Sequence, residues 1–355
     1  MNGILTGYLM RAILTSSGLV LGVLLALAGL FEFIAELDDV RNDYSTPQAV
    51  LFALFRLPNL AFEMMPVAVL IGSLLGLGAL AAHSEIIVMR ASGLSVRRLA
   101  AMVSVTGLVL LVFAALLGEF VGPPLDFYAR DMRQSARYGQ EDDRVGSSTW
   151  VRDGPVYLHL ERVSPEFEFG SLYIYRFKND HTLESIARAE NSGIGPDDQW
   201  RLENLRETRF ENDGVQVVSS NLALGDFEVN AELLANTLAK PLSLSMRGLL
   251  TYIDYLDRNA LDSRQYRTEL WYRVSRTVTV LVMPILALAF VFGSLRSGGT
   301  GSRLLIGVVI GLAYYLASEM LANSGQVFNL NPLAISWLPT SALILVTVIA
   351  LARIR

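Results

Sequence analysis

The chain has 355 residues, of which 52% are hydrophobic and only 18% charged, against roughly a quarter in ordinary soluble domains. A net charge of −5 argues against a nucleic-acid partner, and the absence of cysteine excludes disulfides, zinc–thiolate centres and a cysteine nucleophile. His83, His159 and His181 are scattered without metal-ligand spacing, so neither a metal site nor a catalytic group is assigned.

Charge is concentrated between Arg130 and Arg273, and the two flanks are long apolar runs. This predicts a membrane part with one soluble insertion. A bilayer core of about 30 Å takes about 20 apolar residues in a helix. Six segments meet that requirement: Ala12–Ile34, Met64–Ala82, Leu99–Val121, Val274–Leu295, Leu304–Ala322 and Ile335–Ile354. The first is too long for the apolar region of a signal peptide and is followed by Glu36-Leu37-Asp38-Asp39 rather than a cleavage site. It is read as a retained helix.

Arginine placement sets the orientation. One side carries Arg11, Arg90, Arg97, Arg98, Arg296, Arg303, Arg353 and Arg355. The short loops opposite carry Arg41 and Arg56 among Glu36, Asp38, Asp39, Asp43 and Glu63. Both termini are therefore expected in the cytoplasm, and the long central segment outside, in the periplasm of a two-membrane cell. That segment reads as short strands. Val156–Leu160, Leu172–Phe177, Ile186–Ala189, Trp200–Leu205, Thr208–Phe210 and Val215–Val218 are separated by turn signals such as Asp153-Gly154-Pro155 and Asn212-Asp213-Gly214. A sandwich or β-jellyroll is expected. Met246 to Arg273 reads as helix leading into the fourth span. The predicted fold is thus an α-helical membrane protein with six transmembrane helices, three before and three after an inserted all-β domain. The expected divisions are residues 1–122, 123–245 and 246–355.

No Gly-x-x-x-x-Gly-Lys-Ser/Thr string occurs, and Gly-Lys is absent throughout. If ATP drives this protein, another subunit binds it, together with its magnesium. The loop His83–Gly93 suits a short helix along the membrane: Ile86, Met89 and Arg90 share helical spacing, Gly93 suits its stop, and Glu85 lies in its first turn. It is either a helix that inserts into a cytoplasmic partner or an ordinary interfacial loop helix. Arg130, Arg133 and Arg137 fall on one helical face after the third span. They suit phosphate, or else pair with Asp126, Asp131 and Glu141. Glu32, Glu119 and Glu319 lie in or at the ends of spans, where charge is costly. Glu319 is the deepest of the three and the better functional candidate. Gly72-x3-Gly76 and Gly307-x3-Gly311 offer close helix packing. The aliphatic faces of the first and fifth spans suit either lipid or an apolar cavity.

The strings Ser84-Glu85-Ile86-Ile87-Val88-Met89-Arg90-Ala91-Ser92-Gly93, Gly118-Glu119-Phe120-Val121-Gly122-Pro123 and Phe292-Gly293-Ser294-Leu295-Arg296-Ser297, with the pattern around Trp271, resemble the LptF/LptG family of lipopolysaccharide export permeases. The last string favours the LptG branch. The resemblance covers essentially the whole chain. It implies a bacterial inner-membrane permease subunit, not itself an enzyme. Its partners would be an LptF-like sister permease, an LptB-like ATPase dimer, an LptC-like protein and lipopolysaccharide. It also implies that Glu85, Ile86, Met89, Arg90 and Gly93 couple to the ATPase. Arg130 and Arg133 match positions near substrate phosphates, and Arg137, Arg41, Glu319, Phe31 and Phe33 complete the expected substrate set. The first and fifth spans would line the lipid cavity. One departure stands out: where the family carries lysine at the end of the first span, this chain has Glu32, Asp38 and Asp39. Outside the family, the competing reading is a membrane-anchored periplasmic sensor or scaffold without transport.

Overall fold

The computed structural model describes residues 2–38, 40, 44–138, 148–161, 168–178, 180, 182–195, 197–211, 213–231, 233–234, 241–292, 300–328 and 330–354. Arg41, Asp39, Asp43, Glu141, His181 and Gly293–Ser297 lie outside these residues, as do the side chains of Arg137 and Arg303. The chain divides into two compact units, residues 1–134 with 264–355, and residues 135–263.

The first unit is helical. Its elements are α1 (Asn2–Leu37), α2 (Thr46–Ala82), α3 (Glu85–Ala91), α4 (Val96–Leu116), α5 (Gly122–Tyr138), α7 (Arg264–Phe292), α8 (Thr300–Val327) and α9 (Pro332–Arg353). Six stretches are long and apolar enough to cross a membrane, three before the strands in chain order and three after. Several helices outrun the spans expected for them. α2 starts at Thr46 because Pro47 suits a first turn and the Gln48 side chain accepts the Ser45 N–H at 2.7 Å. This brings Arg56 and Asn59 into the helix. Between α4 and α5 the helix continues through a π turn at Leu117–Val121. Pro123 and Pro124 follow after Gly122; they supply no N–H, and proline rings crowd the carbonyls four residues back.

α2 is the hub of the bundle. In its most apolar stretch 72% of residues are buried, against 6% in α1, and α1, α7 and α8 all pack on it. The two glycine pairs explain how. A Cβ on Gly72 or Gly76 would strike the α1 backbone at Ser17 or Ala12, and one on Gly307 or Gly311 would strike Leu74 or Val67 of α2. Both small-residue faces thus serve contacts with α2, as their spacing predicts. The core runs through Leu70, Leu74, Leu77, Val103, Met283 and Leu286.

The second unit holds an antiparallel sheet. Its strands are β1 (Thr149–Asp153), β2 (Val156–Leu160), β3 (Leu172–Phe177), β4 (Leu183–Ala189), β5 (Asn191–Ile194), β6 (Trp200–Glu211) and β7 (Gly214–Gly225). β4 and β5 pair with successive stretches of β6 in one register, so they act as a single strand bent at Glu190. The order is then a curled meander from β1 to β7. Among the described residues there is no Greek-key crossover of the kind a jellyroll requires. One face carries Val151, Leu158, Leu160, Leu172, Ile174, Ala187 and Ala189, all buried. Helix α6 (Met246–Arg258) belongs to this unit. The expected single helix from Met246 to Arg273 is instead two, broken where Asn259 ends α6 and Ala260 takes a φ of 52°. α6 covers the free edge of β1. The Tyr255 hydroxyl accepts from the Arg152 N–H at 3.1 Å and donates to its carbonyl at 2.9 Å, while the Gly154 N–H donates to Asn259 Oδ1 at 2.8 Å. These contacts occupy backbone groups that an edge strand otherwise leaves open.

Candidate functional site

Helix α3 is set between α2 and α4 by a sharp reversal. Ser84 adopts a φ of 63°, a left-handed conformation that costs a serine roughly 1–2 kcal/mol. Gly93, at φ 95°, ends the segment without that cost. Ile86 and Met89 are buried in the core of the bundle, so their shared spacing seats the helix on its own protein. The outward apolar residues are Ile87 and Val88. Arg90 lies over the Phe292 ring at 5.5 Å. Glu85 Oε2 accepts a hydrogen bond from the Tyr8 hydroxyl at 2.6 Å, which ties α3 to the first turns of α1.

A second constellation joins the far end of α1 to α2 and α5. Arg56 of α2 bridges Glu32 of α1 and Asp126 of α5. Arg130 Nε lies 2.7 Å from the other oxygen of the fully buried Asp126. Arg133 Nε lies 2.7 Å from Glu36 Oε1, which also accepts the Tyr44 hydroxyl at 3.0 Å. Arg133 and Arg56 both lie over the Phe52 ring, at 5.2 and 5.7 Å. Three guanidiniums thus meet three carboxylates, and each charge sits where a lone one would be expensive. Arg130 and Arg133 belong to the same helix, but the acidic side chains of Asp126 and Glu36 already occupy them. Arg137 belongs to the same helix, with its side chain outside the described residues.

Glu319 of α8 sits at the edge of a third group. It accepts from Tyr272 at 3.4 Å and from Asn323 at 3.5 Å. Tyr272 lies 4.4 Å from the buried Arg276 guanidinium, which interacts electrostatically with Glu63 of α2 and Glu269 of α7. Arg273, also buried, donates to Glu269 at 3.4 Å. Sequence reasoning singled out Glu319 and passed over Arg276. Yet Arg276 lies inside the fourth predicted span, where a charge is itself a signal. Tyr8, Glu36, Tyr44 and Arg56 went unassigned because their partners are brought together only by the fold, whereas the Arg130–Asp126 pair is one of the alternatives the sequence offers.

Two apolar faces complete the picture. α1 exposes Leu19, Val23, Leu27, Leu30, Phe31 and Ile34, whereas Phe33 is half-buried. α8 exposes Leu305, Val308, Val309, Leu312, Leu316 and Met320. Both helices rest on α2 and leave these stripes uncovered.

The family model for the lipopolysaccharide export system permease LptF/LptG matches residues 7–353. The chain is 30% identical over 355 residues to the lipopolysaccharide export system permease protein LptG of Escherichia coli strain K12, covering 99% of this chain and 98% of that protein. The same identity and coverage hold for LptG of Escherichia coli O6:H1. LptG of Haemophilus influenzae is 28% identical over 350 residues, with 98% of each chain covered. With its six apolar helices and curled sheet, the chain belongs to the lipopolysaccharide export system permease LptF/LptG family.

Proposed function

We propose that this chain is one of two permease subunits that draw lipopolysaccharide out of the inner membrane, driven by ATP hydrolysed in a separate cytoplasmic subunit. The observation that carries this reading is α3. A helix anchored inward by Ile86 and Met89 and presenting Ile87 and Val88 outward is built to receive a partner and pass its motion inward. The Tyr8–Glu85 hydrogen bond leads that motion into α1. Both termini and α3 lie in the cytoplasm, and the sheet unit with its curled meander lies outside.

The uncovered stripes of α1 and α8 become cavity walls once an LptF-like sister subunit faces them. An LptC-like protein and the periplasmic path lie beyond. Burial of acyl chains is worth about 0.8 kcal/mol per methylene, so removing a whole lipid costs on the order of tens of kcal/mol unless an apolar cavity offsets it. Substrate phosphates engage Arg130 and Arg133 by exchanging with Asp126 and Glu36, which hold those arginines in the free protein. Such exchange loosens α1 from α5 at the moment cargo arrives.

The test is co-purification with a cytoplasmic P-loop ATPase, followed by lipopolysaccharide-stimulated ATP hydrolysis. Glu85→Lys should abolish association while lowering the unfolding temperature of the purified permease only slightly, because the Tyr8 hydrogen bond it removes is solvent-exposed. If Glu85→Lys left association and export unchanged, the coupling assignment would be wrong. If no ATPase associates with the unaltered chain, the permease reading itself fails.

A further inference from the structure

The buried face of the sheet has an unusual counterpart. The solvated side of an antiparallel sheet is ordinarily polar. Here the register places Trp150, His159, Tyr173 and Arg188 in one row across β1 to β4, and Arg152, Tyr157 and Tyr175 in the next. None of these residues points into the core, which is served by the alternate positions. The ring centroids follow at 4.5 Å from Trp150 to His159 and 5.9 Å from His159 to Tyr173, with planes tilted by 32° and 40°. Trp150 also stands 5.6 Å from Tyr175. Arg188 closes one end of the row, 5.4 Å over Tyr173. The other end, at the edge strand, is Trp150, which is 58% exposed.

Cross-strand aromatic pairing alone stabilises sheets, and it accounts for the inner members of the row. It does not account for the groove beside them. Trp150, Tyr157, Tyr175 and Phe177 frame a concavity of about 520 Å³, with Arg152 and Lys178 at its rim. Phe177 stands at 79° to Tyr157 and makes a wall. The volume falls in the range of about 300–1,000 Å³ usual for small-molecule sites. Among the described residues no carboxylate lines it, and two cations do.

We propose that this groove binds an acidic oligosaccharide, with sugar rings stacked on Trp150 and Tyr175 and acid groups held by Arg152 and Lys178. Aromatic faces suit the C–H surface of a pyranose, and tyrosine hydroxyls suit its alcohols. Guanidinium forks suit phosphate or carboxylate substituents. Arg152 donates to the Gly154 carbonyl at 3.1 Å and lies 5.2 Å over the Tyr157 ring. Neither contact neutralises its charge, and an acyl chain would offer no countercharge to it or to Lys178. The assignment rests on the permease reading above, which supplies the saccharide: it is the sugar portion of the exported lipid. The sheet unit would then hold the carbohydrate, leaving the acyl chains to apolar surfaces elsewhere.

The experiment uses the full-length protein in detergent with Trp271→Phe and Trp337→Phe, so that Trp150 dominates the exposed indole fluorescence. The probes are core oligosaccharide released from lipopolysaccharide by mild acid, a neutral glucan of equal length, inorganic phosphate, and a short single-stranded oligonucleotide. Saturable quenching by the acidic oligosaccharide is expected, at least tenfold tighter than by the glucan. Arg152→Gln should weaken it about tenfold. Trp150→Ala, followed by calorimetry because the reporter is lost, should abolish it with only a small drop in unfolding temperature from the lost cross-strand pairing. Tyr175→Leu serves as a second variant. Phosphate or oligonucleotide binding as tightly as the saccharide would overturn the proposal in favour of a general anion site. So would binding that survives in both aromatic variants, or no saturation at all. The two readings separate on one comparison. If intact lipopolysaccharide stimulates the ATPase while the oligosaccharide does not bind, the groove assignment alone fails. If neither occurs, the permease reading fails with it.

Discussion

Gly72 offers a direct test of the helical hub. A Cβ at Gly72 would lie 2.3 Å from Ser17 Cα and 2.5 Å from Ser17 N. Ordinary contact begins near 3.4 Å, so in Gly72→Ala the α1 backbone must retreat by about 1 Å, an overpacking expected to cost about 1–3 kcal/mol. Gly76→Ala meets the Ala12 carbonyl oxygen at 2.6 Å and demands the same retreat. Because one displacement relieves both clashes, the double variant should cost well under the sum of the singles. Gly18 and Gly22 lie on α1 itself with nothing within 4 Å of a Cβ. Alanine there should be neutral or stabilising by up to about 1 kcal/mol through helix propensity. Thermal unfolding of the detergent-purified protein reads all five variants. On the permease function proposed above, Gly72→Ala should also slow lipopolysaccharide-stimulated hydrolysis by an associated ATPase, since α1 is displaced along its length. If Gly72→Ala melts with Gly18→Ala, or if the double variant is additive, the close α1–α2 contact is wrong.

Three further outcomes follow from the same geometry. Asp126→Asn leaves Arg56 and Arg130 against a neutral amide. It should cost about 2–3 kcal/mol in chemical denaturation, below the roughly 3–5 of a fully buried pair because both guanidiniums keep some water, and Arg130→Gln on that background should add little. Tyr255→Phe removes a hydroxyl that satisfies both backbone groups of Arg152, and burial pushes this phenol up to about 12, so it stays neutral throughout the working range. A loss of about 1–3 kcal/mol is expected, with hydrogen exchange rising at β1 before β3. The hydrogen bond from Arg209, and then that from Ser185, hold the Glu207 carboxyl below its usual range. Such a group contributes stability above its unfolded pKa of about 4.3 and loses it as pH falls through the native value; Glu207→Gln should therefore lower stability at neutral pH and flatten the acid limb followed by Trp200 fluorescence.

Local patterning carried much of this structure. Val156–Leu160 and Leu172–Phe177 end where their alternation of apolar and polar residues predicts, because one face is buried and a slip of one residue would expose it. β1 and β5 were not legible. Trp150-Val151-Arg152-Asp153 and Asn191-Ser192-Gly193 lack a run of β-formers and become strands because neighbours supply their ladders. The apolar criterion found the core of each membrane helix but not its ends, which depend on caps and on ion pairs outside the apolar stretch. Within the candidate sites, spacing identified α3 but not its direction. Whether Ile86 and Met89 face a partner or their own bundle depends on where α2, α4 and α7 stand. The Arg56–Asp126 pair joins residues 70 positions apart, and no periodicity announces such a meeting. Even so, Arg276 shows that a charge inside a predicted span was readable as a sign of buried polar company.

The central place of α2 has a consequence for biosynthesis. This helix is made early, but α7 and α8, which cover its buried faces, begin about 180 and about 220 residues after its end, beyond the whole sheet unit. At translation rates of about 5–20 residues per second, that is a wait of roughly 10–40 seconds. During it, Gly72 and Gly76 already have α1 to close on, while the surfaces meant for Gly307 and Gly311 face only lipid or an insertion factor. The nascent half-bundle is therefore the stage at which membrane quality control has most to grip. A ribosome stalled within the sheet unit would leave a three-span fragment with its hub half-clad.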